Sequence, residues 1–597
     1  MQIAHIFNEL KPKDKKSFID TQLFEIDYFK SYKFSDYTDN ALDNDFSKKY
    51  YHALNPIEDK SIISKYDDEK LKRLVSTLAD DLLLISGDFW GIQKFIFDGV
   101  TTSKASKILR SRSAMVQLIT YAVVDRVKKA FEGSEALLFG AGKFMILAKN
   151  ENIHKIKEIQ KELDSYFLKN FFGQNGFILS SSTTTKEKLL DQKNMEEDLL
   201  ALGADNDDKK LNKFDLLNIE DDTIINNIFN EAQKDDAICE FCSKRVKTHK
   251  VDDTKACGVC FNEIELGKQL SKKPYVSIFF SDKLESKDNI LIITLGNQNY
   301  YAKFEAQVTV KGDSFDIGSE PYFDYPKWSL KSHVPTDSNK EIKDFSTLSE
   351  GSSGLMALKA DIDKLGDTFR ELYKEDFKKF NRLSREVEFF FSDYITSLVA
   401  KRENVYTVFA GGDDLFLIGE YKEIVVLAKE IRDEFYSFAL EKTTISMGLV
   451  MFKPTTPITF VSKMADEAEK RAKAITVDGK DRNGIDIFGV SMKYDEFIEI
   501  EESFKRVTEF LEKESDDKTA LYYRLIELCD MKENINQDIR NAMWKSKLNY
   551  LFRRNVKRED NNSEIFTLLS NLIEKGEKFK PSIFLKIYNN RDKKKEK

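Results

Sequence analysis

The chain has 597 residues, 41% of them apolar and 33% charged, and a formal net charge of −8. That length exceeds a single hydrophobic core and predicts about three to five domains of ~100–200 residues, while the acidic balance excludes nucleic-acid binding through a global basic field. No run of about 18 apolar residues occurs and the first ten residues carry no basic-then-apolar leader, so a cytoplasmic protein without a membrane span is expected.

Residues 1–80 mix charged and aromatic residues and read as a short helical region. At Asp81 the character changes. Leu82-Leu83-Leu84-Ile85 is a predicted strand, followed by Ser86-Gly87-Asp88 and a helix of apolar periodicity. A strand at 136–139 then meets the turn Gly140-Ala141-Gly142 and a second strand from Phe144 to Leu147. Lys107, Arg110 and Arg112, within the basic segment 104–112, would suit a phosphate or RNA backbone, or simply start a basic helix. The acidic stretch from Glu196 to Asp222 reads as an exposed loop or linker.

Five cysteines in so long a chain make no disulfide framework, but four of them, Cys239, Cys242, Cys257 and Cys260, fall in the pattern C-x2-C-x14-C-x2-C. Two such thiolate knuckles can close one tetrahedral structural zinc site. A redox role needs only one CxxC and a βαβ context that is not evident. Four thiolates fill the metal shell, so His249 is expected at the surface; Cys529, flanked by Leu525 and Leu528, is expected in a helical core. A strand-rich stretch runs from Tyr275 to about Gln307.

The order strand, acid, helices, glycine hairpin then recurs. Leu355–Lys359 is a strand ending in Ala360-Asp361-Ile362-Asp363, and Gly411-Gly412-Asp413-Asp414 joins two apolar runs as a hairpin tip. Asp88 to Gly140 spans 52 residues and Asp361 to Gly411 spans 50, which predicts two copies of one unit about 270 residues apart. Asp361 and Asp363, two apart on a strand, share a face. With Asp413 and Asp414 they would form a four-carboxylate cluster, and such a cluster calls for Mg²⁺ or Mn²⁺, which would hold a nucleoside triphosphate and activate a hydroxyl. The bland alternative is that these acids cap turns and helices. Lys473, after the strand Thr444–Gly448, could meet triphosphate charge or could be solvated. The first copy keeps Asp88 but has Lys143 at its hairpin in place of acids, so it is expected to bind a nucleotide at most, without catalysis. Beyond Phe488 the pattern is helical, ending in a lysine-rich tail expected to be solvated.

Taken together, Ser86-Gly87-Asp88-x2-Gly91-Ile92-Gln93-x-Phe95-Ile96, Leu109-Arg110-x-Arg112-Ser113 and the cysteine module resemble the large catalytic subunit of type III-A CRISPR effector complexes, the Csm palm-polymerase family. Asp361-Ile362-Asp363-x-Leu365-Gly366, Leu383-Ser384-Arg385, the Val405–Phe416 hairpin, the strand 483–489 and Trp544-x3-Leu548-x-Tyr550-Leu551-x2-Arg554-Asn555 extend the likeness over about residues 50–560.

The resemblance implies an α+β chain with two ferredoxin-like, nucleotidyl cyclase-like palm domains, a zinc-binding linker domain and a C-terminal helical bundle. The expected bounds are a short helical N-terminal region at 1–80, a non-catalytic first palm at 81–225, the four-cysteine linker at 226–345, the second palm at 346–495 and the helical domain at 496–597. It further implies synthesis of cyclic oligoadenylates from ATP when target RNA binds. Asp361, Asp413 and Asp414 would hold Mg²⁺ or Mn²⁺, and Gly411, Gly412, Ile362, Asp363, Ser384, Lys473, Asp88 and Lys143 would contact nucleotides. The other Csm subunits, guide RNA and target RNA are the implied partners. The family's usual N-terminal HD nuclease is expected to be missing, because none of the five histidines is followed by Asp. A stand-alone cyclic-dinucleotide cyclase and a non-catalytic scaffold are the competing readings.

Overall fold

The computed structural model describes residues 81–595 apart from 101–103, 141, 192–194, 218–237, 274, 282–288, 306–312, 317–327, 331, 369–383, 385–386, 389, 440–442, 478–479, 515–518 and 556–561. Ala141 and the expected N-terminal helical region thus lie outside the described residues.

The first unit runs β1 (Asp81–Trp90), α1 (Ile92–Phe97), α2 (Ala105–Ala130), β2 (Glu135–Gly140), β3 (Lys143–Lys149), α3 (His154–Phe171) and β4 (Gly176–Thr185), with sheet order β2-β3-β1-β4 and every neighbour pair antiparallel. Alternation along β1 divides its apolar residues between two cores: Leu83 and Ile85 lie with Phe144, Phe177 and residues of α2 and α3, whereas Leu82 and Leu84 lie with Met145 and Leu147 in a second cluster.

The segment expected as a loop is in part a helix, α4 (Met195–Leu211), packed on β4. Its buried residues Met195, Leu199 and Leu202 fall at i, i+4 and i+7, an apolar stripe narrow enough to be hidden among the acids. Acids in its first turn and lysines in its last complement the helix dipole.

Next comes the cysteine module, where the short hairpin β5 (His249–Val251) and β6 (Thr254–Ala256) precedes α5 (Gly258–Leu270). The five-stranded sheet β11-β10-β7-β9-β8 follows, built from β7 (Tyr275–Ser281), β8 (Ile290–Leu295), β9 (Gln298–Glu305), β10 (Asp313–Asp316) and β11 (Trp328–Ser329). Helix α5 approaches α2 backbone to backbone, since a β-carbon on Gly267 would lie 2.3 Å from the Lys107 carbonyl oxygen.

This contact explains the basic residues of α2, which do not form a phosphate-binding surface. Arg112 is buried and forms a bidentate pair with Glu263 of α5, at 2.9 and 3.2 Å, while also donating to the carbonyl of Asp98 at 2.7 Å. Arg110, 2% exposed, donates to the Leu330 carbonyl at 2.6 Å. Lys107 pairs with Glu341 at 2.5 Å. All three cations tie the first unit to the segment after it.

The second unit repeats the first: β12 (Leu355–Ile362), α6 (Ile395–Ala400), β13 (Val405–Gly411), β14 (Asp414–Glu420), α7 (Tyr421–Phe438) and β15 (Ile445–Phe452), followed by α8 (Ile458–Lys473). Its sheet, β13-β14-β12-β15, is extended by β16 (Gly484–Ile487) and β17 (Val490–Lys493), so strand structure continues past Phe488, where helix alone was expected. One face packs on α6, α7 and the C-terminal helices α9 (Tyr494–Glu514), α10 (Thr519–Glu533), α11 (Trp544–Asn555), α12 (Asn562–Glu574) and α13 (Lys580–Lys595). The other meets α8 and the first unit, with the Phe97 ring 4.8 Å from that of Phe416 and the Tyr406 hydroxyl donating to the Ser106 carbonyl at 2.6 Å. Cys529 is fully buried in the helical core, as expected.

The C-terminal segment is not a free tail. Asp592 is fully buried and accepts hydrogen bonds from Tyr421 at 2.9 Å and Ser353 at 2.5 Å.

Replacing Glu263 with Gln leaves Arg112 as a buried, uncompensated cation, and a loss of about 3–5 kcal/mol is expected. Urea denaturation of the purified variant measures it; stability within about 0.5 kcal/mol of the parent would contradict the structural role given to this pair.

Candidate functional site

The register of the second sheet places Asp361, near the end of β12, directly opposite Asp414, the first residue of β14. Gly411 pairs with Asp414 across a two-residue turn of Gly412 and Asp413. Of the two glycines only Gly412 has positive φ, 63°, in place of the pair of such angles the sequence suggested. The tip acids are half-buried.

Helix α8 supplies Lys473 and reaches the sheet closely because glycine stands opposite it. A β-carbon on Gly448 would lie 2.4 Å from the Glu469 amide nitrogen, and one on Gly484 would lie 2.1 Å from the Ala472 carbonyl oxygen. So held, Lys473 is ion-paired with Asp361 and, at 2.8 Å, with Glu469. Lys359, within β12, is buried against Asp466 and lies 4.0 Å from Glu469. Gln93, from α1 of the first unit, donates to Asp414 at 3.4 Å, so the site draws on both units.

Burial pushes Asp361 up to about 7, Lys473 opposes it, and Asp413 and Asp414 add to the rise. Burial likewise pushes Asp414 up to about 6, opposed by Lys359 and the Gln93 hydrogen bond and reinforced by Asp413 and Glu469. The neighbouring lysines do not fully compensate this carboxylate group.

Not every expected residue joins it. Asp363 is 3% exposed and its oxygens are occupied: Thr444 donates at 2.6 Å, Ser446 at 2.8 and 3.0 Å, and the Asn483 amide at 3.0 Å. Ser446, the cross-strand partner of Asp361, holds Asp363 on the same side of the sheet, but with its oxygens so occupied Asp363 is withheld from the expected cluster of four acids. Ile362 buries its side chain in the core, leaving only its backbone for a ligand. Ser384 is helical and half-buried and forms no hydrogen bond to the tip acids among the described residues.

Sequence reasoning missed Glu388, whose carboxylate accepts the Gly412 amide at 2.6 Å. No spacing pointed to it. It also missed Lys359, for which a lysine inside an otherwise apolar strand was a readable signal of a buried partner.

The first unit reproduces this geometry with different charges. Asp88 is paired with Lys143 in the position of Asp361 with Asp414, and each hairpin has its register shift at the same offset, between residues 136 and 138 and between residues 407 and 409. Asp88 is neutralised by Lys210 of α4 at 2.5 Å and accepts from Asn206 at 3.3 Å. Lys143 is exposed.

A second centre lies in the cysteine module. The four sulfurs of Cys239, Cys242, Cys257 and Cys260 are buried, unoxidised and within 4.8 Å of one another. The Cys242 and Cys257 sulfurs are 3.9 Å apart, close to the ~3.8 Å edge of a tetrahedron with ~2.3 Å metal–sulfur bonds. Arg245 donates to Cys242 at 3.6 Å, so a cation faces the thiolates. His249 is exposed and stacks on Phe261, outside the cluster. Among the described residues this is the one set of three or more such side chains whose ligand atoms converge; the aspartates are not drawn together to that degree, Asp361 being turned to Lys473.

Residues 355–485 match the family described as Cas10/Cmr2, second palm domain, and residues 81–227 match Csm1 subunit domain B. Over these two stretches the chain is similar to the Cas10/Csm1 large subunits of type III-A CRISPR systems. Its curated relatives include the subtype III-A Cas10/Csm1 proteins of Enterococcus italicus and Streptococcus thermophilus, each described as a CRISPR system single-strand-specific deoxyribonuclease. They are 25% and 23% identical over 87% and 79% of this chain, which spans 67% and 62% of their lengths. Among solved structures, a Csm1-Csm4 cassette in complex with one ATP aligns with a TM-score of 0.62 at 19% identity, covering 86% of this chain and 70% of that one. The cassette in complex with cA4 gives 0.58 at 18%, covering 84% and 70%. The chain thus shares the mixed α/β fold of Csm1. Among the described residues no helix is long and apolar enough to cross a membrane.

Because Asp361 and Asp414 bind protons more tightly in the fold than in the unfolded chain, their contribution to stability is present at low pH and falls as pH rises from about 4 to about 7. Asp361→Asn and Asp414→Asn are each expected to flatten that decline by on the order of 1–2 kcal/mol, read from urea denaturation at pH 5 and pH 8. A decline identical to the parent's would show that these carboxylates ionise normally.

Proposed function

We propose that this chain makes cyclic oligoadenylates from ATP in response to target RNA, as the large subunit of a type III-A complex with the other Csm subunits and guide RNA. The observation carrying this reading is the pairing of half-buried Asp361 with Asp414 beside a glycine turn, where burial raises Asp361 despite the opposing Lys473. Solved relatives binding ATP and cA4 support it. Both units are read as ferredoxin-like palms, supported by the order β-α-β-β-α-β and by the sheet order β2-β3-β1-β4 and its counterpart.

Asp361, Asp413 and Asp414 would hold Mg²⁺ or Mn²⁺, whose chemistry is to neutralise triphosphate charge and acidify the attacking 3′-hydroxyl. Lys473 can exchange its carboxylate partner for a phosphate, since both are oxygen anions. The Gly412 amide offers a backbone donor, and Gln93 ties the first palm to Asp414. Asp88 already has its lysine, so the first palm would bind the second nucleotide through Lys143 without catalysis. The sequence holds no His-Asp dipeptide, and no nuclease built on one is proposed for these residues.

The test is mass analysis of products from the reconstituted complex with ATP, Mg²⁺ or Mn²⁺ and complementary RNA. Changing Asp413 and Asp414 together to Ala should lower cyclic product about 100-fold or more, a loss typical when electrostatic stabilisation of a transition state is removed. Equal product from the double variant, or none from the parent with either metal, overturns the reading in favour of a scaffold. Product formed without guide or target RNA would favour a stand-alone cyclase.

The cysteine cluster is proposed as a structural zinc site. One zinc per purified chain is expected by elemental analysis, and Cys257→Ser should lose the metal and lower the melting temperature. A metal-free native protein of undiminished stability would refute this.

A further inference from the structure

The Gly412 amide lies in a turn of positive φ at the acidic tip, the kind of backbone donor that accepts a phosphate oxygen. In this structure a side chain takes it: Glu388 accepts from Gly412 N–H at 2.6 Å. The same carboxyl group lies against the first palm's hairpin, where a β-carbon built on Gly140 would stand 2.9 Å from Glu388 Cδ and 3.0 Å from Oε2. Gly140 and Gly411 end the first strands of the two equivalent hairpins, so this one carboxylate lies between the turns of both palms.

The proposed reaction has no use for a carboxylate there. Glu388 adds negative charge at the turn that carries Asp413, on the donor that an incoming triphosphate would use. Carboxylate and phosphate oxygens compete for the same N–H groups, and a fixed carboxylate repels a polyanion.

We propose that Glu388 occupies the place of a nucleotide phosphate between the two hairpin turns until it is displaced. The inference rests on the nucleotide-binding reading of this site. A purely structural Glu388, bracing the turn, predicts the opposite sign: its loss would loosen the hairpin and weaken nucleotide binding. Because the contact spans both palms, a shift of one hairpin relative to the other would strengthen or release it.

The experiment measures binding of a fluorescent ATP analogue with Mg²⁺ to the purified full chain, without RNA, for the parent, Glu388→Gln and Glu388→Ala. The Gln variant retains shape and an acceptor oxygen but loses the charge; the Ala variant loses both. Melting temperatures confirm that each is folded. Both variants are expected to bind about tenfold tighter than the parent, as removal of a like charge at a desolvated interface allows. If the parent binds and either folded variant binds equally or more weakly, Glu388 is a brace and the inference is overturned. If neither the parent nor any variant binds, the nucleotide reading itself fails, and the inference with it.

Discussion

The cross-strand register between β12 and β14 sets Asp361 opposite Asp414, and the remaining features of the site follow from that pairing. Side chains alternate along a strand, so a slip of one residue would send Asp361 into the apolar core shared with α6 and α7 and bring Ile362 to the site. The apolar residues fix the register: Leu358, Ala360 and Ile362 belong to one core, and Leu355 and Ala357 to the other. The two-residue turn then leaves Asp413 and Asp414 nowhere to go but the tip. Burial of these acids is unfavourable on its own terms, and it is partly offset because Gly448 and Gly484 admit α8 closely enough for Lys473 to reach Asp361.

The two repeated units show what one scaffold does with two charge sets. In each, an acid near the end of the first strand faces the first residue of the third, and in each a helix following the fourth strand supplies a lysine: Lys210 to Asp88, Lys473 to Asp361. In the first unit that account closes, with one acid, one lysine and the cation Lys143 at the hairpin. In the second, Asp413 and Asp414 are added, and burial, reinforced by the neighbouring acids, raises Asp361 and Asp414 despite Lys473 and Lys359. The asymmetry between the two units is a physical difference, independent of any resemblance.

Much of this was legible from residue order. The repeat, the glycine hairpins, the cysteine spacing and the core position of Cys529 are local patterns, and local patterns survive without coordinates. What failed was partner choice. Arg110 and Arg112 read either as phosphate contacts or as a basic helix start because Leu330 and Glu263 are distant in sequence, and Asp363 read as a site acid because its takers, Thr444, Ser446 and Asn483, lie some 80 residues or more away. Helix α4 hid behind its acids, although Met195, Leu199 and Leu202 carried the period that betrays it. Glu388 had no signal at all, since one glutamate on a charged helix looks like any other until Gly412 is beside it.

The composite nature of the site gives the intervening module a mechanical role. Gln93 stands on α1, whose neighbour Phe97 packs against Phe416 of the second palm and whose carbonyl oxygens at Phe95 and Ile96 are held by Arg112. Arg112 is fixed in turn by Glu263 on the helix that starts at the cysteine cluster, and Arg245 beside that cluster lies over the rings of Phe171 and Phe172. The cysteine cluster at the start of α5 is therefore joined, through one buried ion pair and a few packed rings, to the helix that carries Gln93. Coupling between the module and the acidic tip thus needs no element beyond those already in contact.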